Sequence, residues 1–172
     1  MRTLILGGAR SGKSRLAERL ARESGLPVTY VATAQGRDAE MAARIAQHRA
    51  RRPAHWRSVE EPLSLGAAIE AHAAAGHCVL VDCLTLWLTN LLLHADPALY
   101  VRERAALLDV LPRVPGRLIL VANETGMGIV PLGELTRRFC DEAGWLHQEL
   151  GAICDTVLLT VAGLPLTLKG TA

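Results

Sequence analysis

Eight residues near the start of the chain, Gly7, Gly8, Ala9, Arg10, Ser11, Gly12, Lys13 and Ser14, fit the pattern G-x-x-x-x-G-K-[ST]. These types at this spacing make an anion cradle. The glycines let successive backbone N–H groups turn inward, and the N-terminus of a following helix adds positive potential. An ammonium at position 13 reaches the β and γ phosphates of a nucleotide, and the hydroxyl of Ser14 ligates Mg2+. Of the 19 basic residues only Lys13 and Lys169 are lysines, so a compact point charge stands here against a strong arginine bias. A carboxylate to complement the loop closes the apolar run Cys78-Val79-Leu80-Val81-Asp82. Beside such a loop it holds Mg2+ directly or through water. Standing alone, an Asp at a strand end also serves as a turn or helix cap.

Two further constellations could take part. In the stretch Arg44-Ile45-Ala46-Gln47-His48-Arg49-Ala50-Arg51-Arg52-Pro53, helical spacing puts Arg44, His48 and Arg51 on one face and lets Met41 and Ile45 turn to the core. Neighbouring cations disfavour the imidazolium, so His48 stays neutral near pH 7, while the arginines can hold phosphates. A neutral imidazole that attacks phosphorus becomes a covalent phosphoramidate. The same pattern also suits a solvated arginine-rich helix with an incidental histidine, and spacing does not separate the two. The polar, glycine-rich segment Asn123-Glu124-Thr125-Gly126-Met127-Gly128-Ile129-Val130-Pro131 follows an apolar run, which sets Asn123 and Glu124 on the rim that holds the loop and Asp82. Its glycines equally permit a turn.

These residues need a scaffold that brings strand ends together. Apolar runs at 3–6, 28–32, 78–82, 118–122 and 156–161 lack polar alternation and read as strands covered on both faces. Helical spacing occupies 13–24, 37–51, 63–75, 84–93, 99–111 and 132–153, with Pro53, Pro62, Pro97, Pro115 and Pro131 at the breaks. The alternation predicts an α/β fold, a mainly parallel sheet with helices on both faces like those of P-loop NTPases. The 172 residues imply a single domain over 1–172 with one core, and no linker-like stretch divides them. Arg2 and residues 169–172 are expected to fray.

Composition narrows the partners. The chain is 50% hydrophobic and 3% aromatic, so the core must be aliphatic. No apolar run is long enough to span a membrane, and the start is too short an apolar stretch for a signal peptide, so a cytoplasmic location is expected. A net charge of +2 does not attract nucleic acid, but Arg37, Arg44, Arg49, Arg51, Arg52 and Arg57 oppose only Asp38 and Glu40 in their segment, which favours a local anion site. Cys78, Cys83, Cys140 and Cys154 have no paired spacing and read as buried thiols, assigned to neither metal nor disulfide. The remaining histidines, His55, His72, His77, His94 and His147, have no metal-ligand spacing.

Taken together, the loop, Ala32-Thr33-Ala34, the segment Glu40-Met41-Ala42-Ala43-Arg44-Ile45 leading to His48-Arg49, Arg52-Pro53-Ala54-His55-Trp56 and Asn123-Glu124-x-Gly-Met-Gly-Ile-Val-Pro resemble the bifunctional adenosylcobinamide kinase/adenosylcobinamide-phosphate guanylyltransferase family. The likeness runs nearly end to end. It implies phosphorylation of adenosylcobinamide by ATP or GTP. Transfer of GMP from GTP to adenosylcobinamide phosphate then follows, by way of a GMP-histidine that falls on His48. It implies Lys13 as a second catalytic residue and guanine-nucleotide contacts at Gly7, Gly8, Ala9, Arg10, Ser11, Gly12, Lys13, Ser14, Ala32, Thr33, Ala34, Arg49, Ala50, Arg51, Arg52, Glu60 and Asp82. Ser14 and Asp82 are the expected Mg2+ ligands. A homotrimer is also implied. Some family members carry two histidines in a row, whereas here Gln47 precedes a single His48. Against these expectations stand a plain small-molecule P-loop kinase, in which the basic helix only clamps substrate, and a nucleotide-dependent switch. The absence of an N-K-x-D guanine-reading motif counts against a small GTPase switch.

Overall fold

Short runs of Val, Leu and Ile without polar alternation can satisfy their backbone only in a ladder and their side chains only between two layers. The chain builds that arrangement. The computed structural model describes residues 1–36, 39–50 and 52–170, excepting the side chains at 40–42, 44, 47 and 48. In order the elements are β1 (Arg2–Gly7), α1 (Lys13–Glu23), β2 (Val28–Ala32), α2 (Ala39–Ala50), β3 (Arg57–Glu60), α3 (Leu65–His72) and β4 (Cys78–Asp82). Then come α4 (Leu84–Leu92), α5 (Ala98–Val110), β5 (Arg117–Val121), α6 (Glu134–Ile153), β6 (Thr156–Val161) and β7 (Leu164–Lys169). The strands form one sheet in the order β3-β2-β4-β5-β1-β6-β7. All pairs are parallel except β6 with β7.

Alternate strand residues feed two cores. Leu4, Val31, Val79, Val81, Leu118 and Leu120 face a cluster completed by Trp87 and Leu91 of α4, Leu107 of α5, and Leu146 and Leu150 of α6. Ile5, Tyr30, Leu80, Ile119 and Val121 face the other side, where Leu16, Ala17 and Ala21 of α1 and Trp56 cover them. Helices therefore lie on both faces, as expected from sequence. Among the described residues α2 contributes to neither cluster.

Two strands depart from the sequence expectation. β3, Arg-Ser-Val-Glu, has no apolar run because it is an edge strand paired only with β2. β7 is exposed along its whole length and returns antiparallel through Ala162 (φ 52°) and Gly163 (φ 82°). Positive φ at both central residues is the geometry whose twist suits a two-residue hairpin. Of the residues expected to fray, Arg2 and Lys169 are tied down. Arg2 pairs in β1 and its guanidinium donates to the carbonyls of Leu111 and Pro112. Lys169 Nζ donates to Gly151 O at 2.8 Å and Ala152 O at 2.9 Å, near the carboxyl end of α6. The helix expected at 37–51 is observed at Ala39–Ala50; positions 37, 38 and 51, like 171 and 172, lie outside the described residues.

Candidate active site

The parallel ladders put one row of residues at the carboxyl ends of the strands. Glu60 pairs with Ala32, Ala32 with Asp82, Asp82 with Val121 and Val121 with Ile5. Two residues beyond Ile5 the chain leaves β1 into the glycine-rich loop, so the loop, Asp82, Ala32 and Glu60 share one edge of the sheet.

Within the loop Gly7 and Gly12 are sterically required, whereas Gly8 has open space in its Cβ direction. A Cβ on Gly7 (φ 152°) would stand 2.4 Å from Thr160 O and 2.7 Å from Ser11 Oγ. At Gly12 (φ 101°), which caps α1, it would stand 3.1 Å from Gly163 Cα. Ser11 N donates to Gly8 O at 3.2 Å, and the buried Ser11 Oγ has no hydrogen-bond partner among the described residues. Gly8, Ala9 and Arg10 are exposed and Ser14 stands half-buried in the first turn of α1. Lys13 is buried, and its Nζ donates to Gly8 O at 2.6 Å. Burial lowers the Lys13 pKa from its usual value, against the opposing pull of Cys83 and Asp82. Lys13 opens the helix after β1 and Asp82 ends β4, two positions away in the sheet.

Asp82 is held from β2. The hydroxyl of Tyr30 donates to its Oδ2 at 2.9 Å, and burial together with that carboxylate drives the phenol pKa far up. Thr33 clamps the next residue, donating to Cys83 O at 2.6 Å and accepting from Cys83 N at 3.0 Å. Asn90 on α4 donates to Thr33 O at 2.9 Å and Pro62 O at 3.1 Å. The Cys83 thiol is pushed up to about 11, chiefly by burial and next by Asp82, so it stays protonated and is no nucleophile at neutral pH. For Mg2+ the donor set fits. Ser14 and Asp82 are hard oxygens, and among the described residues no cluster of three or more His, Cys, Asp or Glu could act as a cage. Mg2+ characteristically takes one or two protein oxygens and completes its shell with phosphate and water.

A cavity of about 710 Å³ opens beside this edge, between the β2 carboxyl end, α2 and β3. Ala34, Gln35, Ile45, Arg49, Glu60 and Pro62 are among the residues that line it. Arg49 and Glu60 form an ion pair across it. Arg52 lays its guanidinium 3.6 Å from the Tyr30 ring centroid and donates to Ser58 Oγ at 3.5 Å. The structure thus gathers Ala34, Arg49 and Glu60 around one cavity, while Arg52 stacks on the residue that holds Asp82. The loop lies elsewhere on the same edge, since β4 and β5 stand between β2 and β1, about 14 Å at strand spacing. Ala50 ends α2 and is exposed. His48 occupies the last turn of α2, but its side chain, like that of Arg44, falls outside the described part, as does all of Arg51.

The 123–131 segment joins the loop directly. Glu124 N donates to Gly7 O at 2.9 Å and Asn123 N to Thr85 Oγ1 at 2.7 Å. Gly126 N donates to Glu124 Oε1 at 2.6 Å, and His147 Nδ1 lies 3.7 Å from Glu124 Oε2. Burial lowers the His147 pKa, with Glu124 opposing. Residue chemistry alone did not point to Tyr30, Thr85, Asn90 or His147. For Tyr30 a signal existed, a lone phenol inside a short, fully buried strand.

The sequence profile described as "Cobinamide kinase / cobinamide phosphate guanyltransferase" matches residues 3–168. A bifunctional adenosylcobalamin biosynthesis protein CobP from Pseudomonas aeruginosa is 68% identical over 170 residues, covering 99% of this chain and 98% of that one. The bifunctional adenosylcobalamin biosynthesis protein CobU of Escherichia coli is 43% identical over 182 residues, 98% of this chain and 100% of its own. Among solved structures, a Pyrococcus horikoshii OT3 protein superposes with a TM-score of 0.54 at 11% identity, covering 99% of this chain and 87% of that one. The RadB recombinase gives 0.50 at 19%, with 92% and 73% covered. These structures speak for the P-loop NTPase architecture alone. With the profile spanning all but the extreme ends and a relative two-thirds identical along nearly its whole length, this chain belongs to the cobinamide kinase / cobinamide phosphate guanyltransferase family.

Proposed function

We propose that this enzyme of adenosylcobalamin biosynthesis, a kinase and guanylyltransferase by family, acts on adenosylcobinamide and then on adenosylcobinamide phosphate at the strand-end edge described above. In the first reaction the aminopropanol hydroxyl attacks the γ phosphorus of ATP or GTP, losing its proton and releasing the nucleoside diphosphate. In the second, the His48 imidazole attacks the α phosphorus of GTP. A nitrogen–phosphorus bond forms and the bond to pyrophosphate breaks. An oxygen of the acceptor phosphate then attacks the same phosphorus, breaking the bond to His48 and giving adenosylcobinamide-GDP.

Each residue has a defined task in this reading. Inward amides from Gly7 to Gly12 and the Lys13 ammonium neutralise the phosphate chain. Ser14 and Asp82 would hold Mg2+, which supplies charge neutralisation on the phosphate oxygens when bound. Ala32, Thr33, Ala34, Arg49, Ala50, Arg51, Arg52 and Glu60 contact the nucleotide. Catalysis is then mainly positioning and electrostatics. The single observation that carries the reading is the row Glu60–Ala32–Asp82–Val121–Ile5, which aligns residues far apart in sequence with the start of the loop.

The deciding experiment is incubation with α-labelled GTP followed by denaturation. An acid-labile, alkali-stable label on His48 is expected, and its absence overturns the covalent route. His48→Asn should abolish guanylyl transfer while leaving most of the phosphorylation of adenosylcobinamide; equal loss of both contradicts the division of roles. Assembly as a homotrimer belongs to the same proposal. It is supported by the nearly full exposure of Ile129 (98%) and Leu132 (97%), large apolar side chains that a subunit contact would cover. Sedimentation equilibrium at the monomer mass would remove it.

A further inference from the structure

The carboxylate expected to serve the cation is held from the neighbouring strand by a single phenol. Tyr30 pairs with Leu80 in the β2–β4 ladder, and Asp82 is two residues further along β4 on the same face. The two side chains are therefore a diagonal cross-strand pair, a separation that an aromatic side chain can bridge. The bridge is made, since the Tyr30 hydroxyl donates to Asp82 Oδ2 at 2.9 Å. Tyr30 is only 1% exposed, in a strand whose other members are Val, Thr, Val and Ala. Burying a hydroxyl is unfavourable unless it is bonded, and a bond to a carboxylate is of the stronger, charge-assisted kind. The ring itself is immobilised. One side packs in the core with Ile5 and Leu80, and the Arg52 guanidinium stands 3.6 Å from its centroid.

We propose that Tyr30 is a positioning residue for the cation side of the nucleotide site. Its phenol fixes one oxygen of Asp82 so that the other is presented to the cation of a metal–nucleotide complex, directly or through water. This rests on the nucleotide-site reading given above. An unrestrained carboxylate would lose rotational freedom each time the complex bound, whereas one already bonded to a clamped phenol has lost it in the fold. Arg52, lying over the same ring, ties the segment after α2 to this carboxylate, so the arginine-rich side and the metal side of the site share one rigid joint.

The test uses Mn2+ as the cation and α,β-methylene GTP as the nucleotide. Cation uptake is read by electron paramagnetic resonance of unbound Mn2+, and nucleotide affinity without metal by calorimetry in EDTA. Tyr30→Phe keeps the ring and the Arg52 contact and removes only the hydroxyl. The expected result is metal-free nucleotide affinity unchanged and Mn2+ affinity of the ternary complex weakened by about tenfold or more. Unchanged Mn2+ affinity overturns the inference, as does an equal loss of metal-free nucleotide binding, which would mark a merely structural role. In the Asp82→Asn background, adding Tyr30→Phe should change Mn2+ affinity no further; a further loss shows that Tyr30 does not act through Asp82. That pair lacks the carboxylate that the phenol holds, so it supplies the comparison even if Tyr30→Phe alone does not fold. A wild-type protein that binds no Mn2+ with the nucleotide overturns the site reading and this inference together, whereas normal uptake by both proteins removes only the inference.

Discussion

Lys13 carries a conflict between function and stability. Its ammonium is buried, and burial outweighs the attraction of Cys83 and Asp82 in setting its pKa below the usual value. A base whose folded pKa lies below its unfolded value of 10.5 weakens the fold while it is protonated in both states, and the cost is relieved as pH rises toward 10.5. Replacing Lys13 by Gln should therefore lower kcat/KM by roughly 100- to 1,000-fold, the effect of losing one preorganised donor to a developing charge. Thermal melting at pH 7 should find the variant no less stable than wild type, with any advantage shrinking as pH rises toward 10.5. A variant melting well below wild type would mean that the bond to Gly8 O outweighs desolvation. His147 shows the same sign of pH dependence in a lower window. Its folded pKa is depressed below 6.5 by burial, so its stabilising contribution is complete above 6.5 and is lost as pH falls from 6.5 through the folded value. His147→Gln should flatten the fall in denaturation free energy on acidification through this window while leaving neutral stability little changed. At this scale the loop was legible because its chemistry is local: one turn, one ammonium and one hydroxyl in eight consecutive positions. Tyr30 was not, since its value lies in a partner 52 positions away.

The central strands were legible because both their faces are buried, and no residue of β4 or β5 had to alternate with solvent. β3 and β7 escaped for the complementary reason, since edge strands carry the polar and mixed sequences that discourage further pairing. The consequence reached the site, because Glu60 lies on β3 and the cavity it lines exists only once that strand pairs with β2. Asn90 of α4 closes the same region from the other side. It is 5% exposed and its amide donates to Thr33 O and Pro62 O, carbonyls at the ends of β2 and of the β3–α3 connection. Asn90→Ala strands both carbonyls away from a donor and should cost about 2–3 kcal/mol in urea unfolding. It should also raise the KM for nucleotide, because Thr33, which clamps Cys83 beside Asp82, loses its own support. A stability loss with an unchanged KM would show that the Thr33–Cys83 contact holds without α4.

Across the whole molecule, the antiparallel addition at the sheet's edge reaches back to the loop. The β6–β7 hairpin tip donates from Gly163 N to Ser11 O at 2.8 Å, and Gly163 Cα would stand 3.1 Å from a Cβ on Gly12. The glycine-rich loop is thus braced by the segment after β5 through the Glu124–Gly7 bond on one side and by the hairpin on the other. Gly163→Val tests the brace. At φ 82° a branched side chain is strained by about 1–2 kcal/mol, and the turn can relax only by shifting the N–H that holds Ser11. Strain alone must be separated from place, and Gly76 provides the control. It also has a positive φ, 74°, and open space around its Cβ direction, but it lies just before β4, at the amino ends of the strands and away from the loop. Gly76→Val should destabilise the protein as much as Gly163→Val in urea unfolding. Only Gly163→Val should weaken binding of the metal–nucleotide complex, by about three- to tenfold, the affinity equivalent of about 1 kcal/mol. Equal nucleotide affinity in the two variants would mean that the loop keeps its shape without the hairpin, and that the bond to Ser11 follows from the loop's geometry rather than helping to set it.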